Sequence, residues 1–60
     1  MKQIANYQNS TYGIEARIYQ TETGYSVALF DTDADMRVAL FVRFKNLVDA
    51  VVKAKHLANI

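Results

Sequence analysis

Cysteine is absent from this 60-residue chain, and histidine occurs once, as His56. No disulfide can staple the fold, and no Cys/His cluster is there to hold a structural metal. A nucleophile–base pair of the cysteine–histidine kind also lacks its parts, so His56 reads as a surface residue near a helix end. No apolar run approaches the ~18 residues of a membrane span. Lys2 is followed by polar residues rather than by the apolar core of a signal peptide, and the expectation is a soluble, cytoplasmic protein. Repeats and linkers are missing too, which leaves one domain over residues 1–60. A domain of this size buries only about 60 % of the surface that its unfolded chain exposes. Its stability must come from a tight core, from self-association or from a partner.

The net charge of +1 conceals a division. Residues 1–35 carry Lys2 and Arg17 against Glu15, Glu22, Asp31, Asp33 and Asp35, a net −3. Residues 36–60 carry Arg37, Arg43, Lys45, Lys53 and Lys55 against Asp49, a net +4. Two electrostatic surfaces of opposite sign follow more naturally than one uniformly basic face.

What is present is mostly strand. Residues 1–11 are polar, with Ile4 and Tyr7 as anchors, and are expected as a flexible arm or a short extra edge strand. Tyr12 to Gln20 alternates, with Ile14, Ala16 and Ile18 on one side and Glu15, Arg17 and Tyr19 on the other. Residues 21–24 form a turn in which Gly24 supplies the permissive backbone. Tyr25 to Asp31 and Met36 to Phe44 read as two more strands around a polar loop.

The turns predict a register. Gln20 opposite Tyr25 sets Ile18 opposite Val27 and Ala16 opposite Leu29. Asp31 opposite Met36 sets Leu29 opposite Val38 and Val27 opposite Leu40. All the large aliphatic residues, Val42 included, then share one face, which a one-residue slip would scatter. The other face is also apolar in part, through Ala28, Phe30, Ala39 and Phe41. Its expected rows are Tyr19–Ser26–Phe41, Arg17–Ala28–Ala39 and Glu15–Phe30–Arg37, a shallow trough floored by alanines.

One helix closes the chain. Asn46 is suited to its N-cap, with Asp49 three residues on. Leu47, Ala50, Val51, Ala54, Leu57 and Ala58 follow helical spacing. Asp49 and Lys53 are spaced as an i,i+4 ion pair, and Lys53, Lys55 and His56 favour the C-terminal end of the helix dipole. The fold class is therefore α+β, a three-stranded antiparallel meander packed by one C-terminal helix. One helix covers one sheet face, so the other is expected to meet a partner.

Candidate chemistry is sparse. Asp31-x-Asp33-x-Asp35 opens like a calcium loop, but Met36 stands where glycine is needed and Val42 where the bidentate glutamate is needed. A polar hairpin loop is the better reading, and neither a metal nor a cofactor is expected. Nothing in the pattern supplies a catalytic set. Partner-binding candidates are Arg17, Tyr19, Phe30, Arg37, Phe41 and Arg43 on the open face, with Asp31, Asp33 and Asp35 as an acidic contact. Aromatic rings and arginines are enriched at protein interfaces. The alternative is a nucleic-acid surface built from Arg17, Arg37, Arg43, Lys45, Lys53 and Lys55, with the rings stacking bases.

The stretches Gly24-Tyr25-Ser26-Val27, Asp31-Thr32-Asp33, Phe44-Lys45-Asn46-Leu47 and Ala50-Val51-Val52-Lys53-Ala54 carry a resemblance. A Gly-Tyr-x-Val strand and an acidic loop leading to a Phe-x-x-Leu-x-x-Ala helix resemble small phage and mobile-element proteins of the anti-CRISPR kind. HicB-type antitoxins are similar, although their Pro-Asp-Leu-Pro-Gly segment is missing here. The likeness covers residues 12–58 and implies a non-enzymatic inhibitor in the cytoplasm of a host cell. Such an inhibitor would occlude a surface of a nucleic-acid-targeting complex. The alternative is a small nucleic-acid-binding or antitoxin-type regulator. A protein partner is expected, with a homodimer or a nucleic acid as alternatives and no membrane.

Overall fold

A computed structural model describes residues 2–60, the Val42 side chain excepted. Its elements are β1 (Lys2–Asn9), β2 (Ile14–Thr21), β3 (Gly24–Asp31), β4 (Met36–Phe44) and α1 (Leu47–Ala58). The fold is α+β: one antiparallel sheet in the order β1-β2-β3-β4, with a single helix on one face.

The expected three strands are thus four. Of the two alternatives for the polar N-terminal segment, the edge strand is realised, and it spans eight residues rather than a short piece. Asparagine and glutamine give little strand propensity, so the ladder to β2 must order the segment. Ala5 lies opposite Ile18 and Tyr7 opposite Ala16, and both join the core. Asn9 ties the end of β1 to the helix: its Nδ2 donates to the Ala58 carbonyl at 2.8 Å, while its Oδ1 accepts from the Thr11 amide.

The β2–β3 register is as expected, with Gln20 opposite Tyr25, Ile18 opposite Val27 and Ala16 opposite Leu29. The β3–β4 register is not. Asp31 does face Met36, and Phe30 faces Arg37, but Leu29 then faces Ala39. A bulge at Val38 therefore inverts the alternation: Val27 faces Phe41 and Ala28 faces Leu40. A second irregularity restores it, so that Phe44 faces Tyr25. There Arg43 adopts φ 71°, in the left-handed region. Phe41 and Phe44 are three residues apart, and strict alternation would put one ring on each face. The two bulges put both on the helix side. The expected inward side of Val42 lies outside the described residues.

The core is small. Ala16, Ile18, Val27, Ala50, Ala54 and Ala58 are fully buried, and Ile18 and Val27 are the largest among them. Alanine every fourth residue along α1 lets the helix backbone lie close to β2 and β3. Val51 and Leu57 pack beside it, whereas Leu47, expected in the stripe, stays exposed. Asn46 is the N-cap, but its side chain caps no amide; its Nδ2 approaches Asp49 Oδ2 at 3.4 Å instead. Lys53 is not paired with Asp49 either, and its ammonium sits 4.3 Å from the centre of the Phe41 ring. The helix ends at Asn59 in the left-handed conformation, where the Asn59 and Ile60 amides donate to the His56 and Lys55 carbonyls.

Candidate functional site: a groove on the open sheet face

The face away from α1 is built by Glu15, Arg17 and Tyr19 from β2, Ser26, Ala28 and Phe30 from β3, and Arg37, Leu40 and Arg43 from β4. Small residues on the central strand make the floor. Ser26 and Ala28 are each only 2 % exposed, because taller neighbours rise on both sides. The resulting groove has a volume of about 580 Å³ and is lined by Tyr19, Thr21, Thr23, Ser26, Ala28, Phe30, Arg37, Leu40 and Arg43. An adjoining hollow of about 370 Å³ shares Thr23 and Arg43 and reaches Lys45.

A polar network closes one end. Glu15, only 7 % exposed, accepts from Asn6 Nδ2 at 2.7 Å and from Arg17 Nη2 at 3.1 Å. The Arg17 guanidinium also stacks on Phe30, 3.9 Å from the ring centre. Its hydrogen bond to Glu15 raises the Arg17 pKa above an already high value, so this cation never titrates in the physiological range. Glu15 and Arg17 form the one ion pair among the described residues. The pair neutralises itself and props Phe30 as a wall.

The free cations are elsewhere in the groove. Arg37 and Arg43 line it and are exposed. Across from them the walls are the Tyr19 and Phe30 rings. Ser26 Oγ, buried in the floor, has no hydrogen-bond partner among the described residues. An unmet buried hydroxyl carries a penalty of ~1–3 kcal/mol, which Ser26 imposes on the floor beneath the groove.

Of the residues singled out from sequence, Arg17, Tyr19, Phe30, Arg37 and Arg43 gather on this face. Phe41 does not: the Val38 bulge turns it to the helix side, under Lys53. Leu40, which sequence alternation placed inward, takes its position in the groove and is 46 % exposed. Ala39 likewise leaves the open face. Thr21 and Thr23 had no sequence signal beyond their place in a turn.

The acidic loop divides its roles. Asp31 Oδ1 accepts from the Asp33 and Ala34 amides, so this carboxylate organises the turn. Asp33 and Asp35 are exposed, the latter at φ 53°. The six cations of the nucleic-acid alternative are split. Arg17, Arg37 and Arg43 share the open face, Lys45 follows β4, Lys53 sits over Phe41 and Lys55 lies 5.6 Å from the Tyr7 ring centre. No helix is long and apolar enough to cross a membrane, and no group of three or more metal-ligating side chains occurs among the described residues. Comparison with protein-family models, with curated proteins and with solved structures finds no match for the chain.

Proposed function

We propose that this chain is a non-enzymatic binding domain that inhibits by occlusion, covering the working surface of a nucleic-acid-targeting complex as the anti-CRISPR resemblance implies. The observation that carries the reading is the groove on the uncovered sheet face. It joins two aromatic walls, two unpaired arginines and an unmet hydroxyl at a depth that suits side chains of another protein. Among the described residues no carboxylate or imidazole lines it, which favours recognition over proton transfer. The favoured partner segment presents an apolar or aromatic side chain beside an acidic one, to match Tyr19, Phe30 and Leu40 with Arg37 and Arg43.

The test is titration of the purified chain into RNA-guided nuclease reactions of several types. Occlusion predicts inhibition that saturates at one chain, or one dimer, per complex. Arg37→Glu and Phe30→Ala abolish it while the circular dichroism spectrum is retained. Inhibition at strongly substoichiometric amounts would instead mean turnover and refute the occlusion reading.

A nucleic-acid reading has one observation in its favour, the placement of Arg37 and Arg43 beside two stackable rings. Against it stand the buried Glu15 on the same face and the removal of Lys53 and Lys55 to the helix side. It predicts oligonucleotide affinity that falls steeply with salt, because each phosphate contact releases a counterion.

A further inference from the structure

Arg43 holds a backbone conformation that its side chain does not favour. Its φ of 71° lies in the left-handed region, at the point where three steps of β4 span two of β3. Bulges with a left-handed residue ordinarily place glycine there, and asparagine tolerates that region better than arginine does. Arginine kept at such a position lowers stability, and strain of this sort gathers where a side chain is needed for function.

The conformation achieves a placement. Arg43 lines both the groove and the adjoining hollow, and it shares the hollow with Thr23 and Lys45. Gly24 lets the β2–β3 turn approach the end of β4 closely: a Cβ on it would come 3.5 Å from the Lys45 Cα. The hollow thus offers a guanidinium, an ammonium and a hydroxyl, all from exposed residues, with no carboxylate among its described lining. Glu22, in the same turn, is exposed and lines neither cavity. Other cations are already engaged, Arg17 with Glu15 and Lys53 over the Phe41 ring. A donor set of this kind, with no acceptor charge, fits an oxyanion.

We propose that Thr23, Arg43 and Lys45 form a carboxylate subsite, which anchors an acidic side chain of the partner while the residue beside it enters the groove between Tyr19 and Leu40. That the oxyanion is a carboxylate rests on the occlusion reading, in which the partner is a protein, and on the charge along the groove. The far end of the groove lies at the Phe30–Arg37 pair, next to the 32–35 loop. Charges there cancel in number, Glu15 against Arg17 and Asp35 against Arg37, whereas Arg43 and Lys45 outnumber Glu22 at the turn end. A nucleic-acid strand following the groove would carry its phosphates away from the cations and toward Asp35. A protein segment with one acidic end matches the distribution.

The experiment is an amide-shift titration of the full chain with acetyl-Phe-Glu-Glu-amide, beside acetyl-Phe-Gln-Gln-amide as the neutral control and pentathymidylate as the phosphate probe. Saturable shifts are expected at Thr23, Arg43 and Lys45, with affinity about tenfold higher for the Glu peptide, since the Gln peptide lacks the charged hydrogen-bond acceptor. Arg43→Asn loses that preference while its urea midpoint rises above wild type, because asparagine suits the backbone. Should that variant fold poorly, Lys45→Gln, beyond the end of β4, weakens the Glu peptide at an unchanged midpoint. Equal affinity for the two peptides overturns the proposal, as does the absence of saturable shifts at the limit of peptide solubility. So do shifts shared evenly with Lys2, Lys53 and Lys55, tighter saturation of the three residues by pentathymidylate, or a lowered midpoint in Arg43→Asn. Failure of the occlusion reading is seen separately. A chain that binds the Glu peptide here yet leaves nuclease reactions untouched refutes occlusion and keeps the subsite; inhibition undiminished by Arg43→Asn does the reverse.

Discussion

Gly24 is the position where one added methyl group should do the most damage. It opens β3 opposite Thr21, with φ at 150°. A Cβ there would lie 2.3 Å from the Phe44 carbonyl oxygen and 3.3 Å from its carbonyl carbon. Both are backbone atoms, so no rotamer change removes the overlap. The dihedral alone costs an L-residue ~1–3 kcal/mol. Relieving the overlap moves β4 away from β3 at the Tyr25–Phe44 pair and weakens one or two ladder hydrogen bonds at about 1 kcal/mol each. Gly24→Ala should therefore cost ~2–5 kcal/mol, against a total stability of ~3–9 kcal/mol for 60 residues at the usual per-residue range. Urea unfolding followed by circular dichroism measures it, as a lower midpoint at an unchanged slope. A loss under about 1 kcal/mol would refute the reasoning, because neither the strain nor the backbone overlap could then be real.

Three further outcomes follow from the same geometry. Ile18→Ala, which empties the largest fully buried position, should cost ~2–5 kcal/mol in the same urea titration and leave the chain marginally folded. Asn9→Ala removes both the donor to Ala58 and the acceptor for Thr11; amide exchange should accelerate along β1 and the last helical turn while the β2–β3 amides stay protected. Ser26→Ala deletes the unmet hydroxyl, so the free protein should gain up to ~1 kcal/mol of stability. The same variant should lose affinity for the partner, a combination that separates a binding residue from a structural one.

The parts of this fold that could be read in advance are those governed by local rules. The two-residue turn at Glu22–Thr23 and the clean alternation of Ile14, Ala16 and Ile18 fix the β2–β3 register. The alanine and leucine spacing after Asn46 locates the helix. β1 was only half legible, because its residues favour no strand of their own and are ordered by β2. Sequence misplaces the β3–β4 register because a bulge has no composition signature, and alternation carried past Val38 assigns Ala39, Leu40 and Phe41 to the wrong face until the second irregularity restores it before Phe44. One clue was there: Phe41 and Phe44, three apart, cannot both be buried by an unbroken strand. The site inherits this division. Tyr19, Phe30 and Arg37 sit before the bulge or opposite its regular side and were placed correctly, whereas Phe41 and Leu40 exchange faces. The Glu15–Arg17–Phe30 network depends on side-chain rotamers that no periodicity rule predicts.

The central claim is that the groove over Ser26 and Ala28 receives the partner, and filling it tests this most directly. Ala28→Leu adds bulk to the groove floor on the face away from the core. Its dose–response curve against RNA-guided nuclease reactions, measured beside wild type, is the decisive measurement. The account predicts that the wild-type chain inhibits stoichiometrically and that Ala28→Leu, still folded by circular dichroism, does not. Equal inhibition by the two chains would contradict it and move the binding surface off this face.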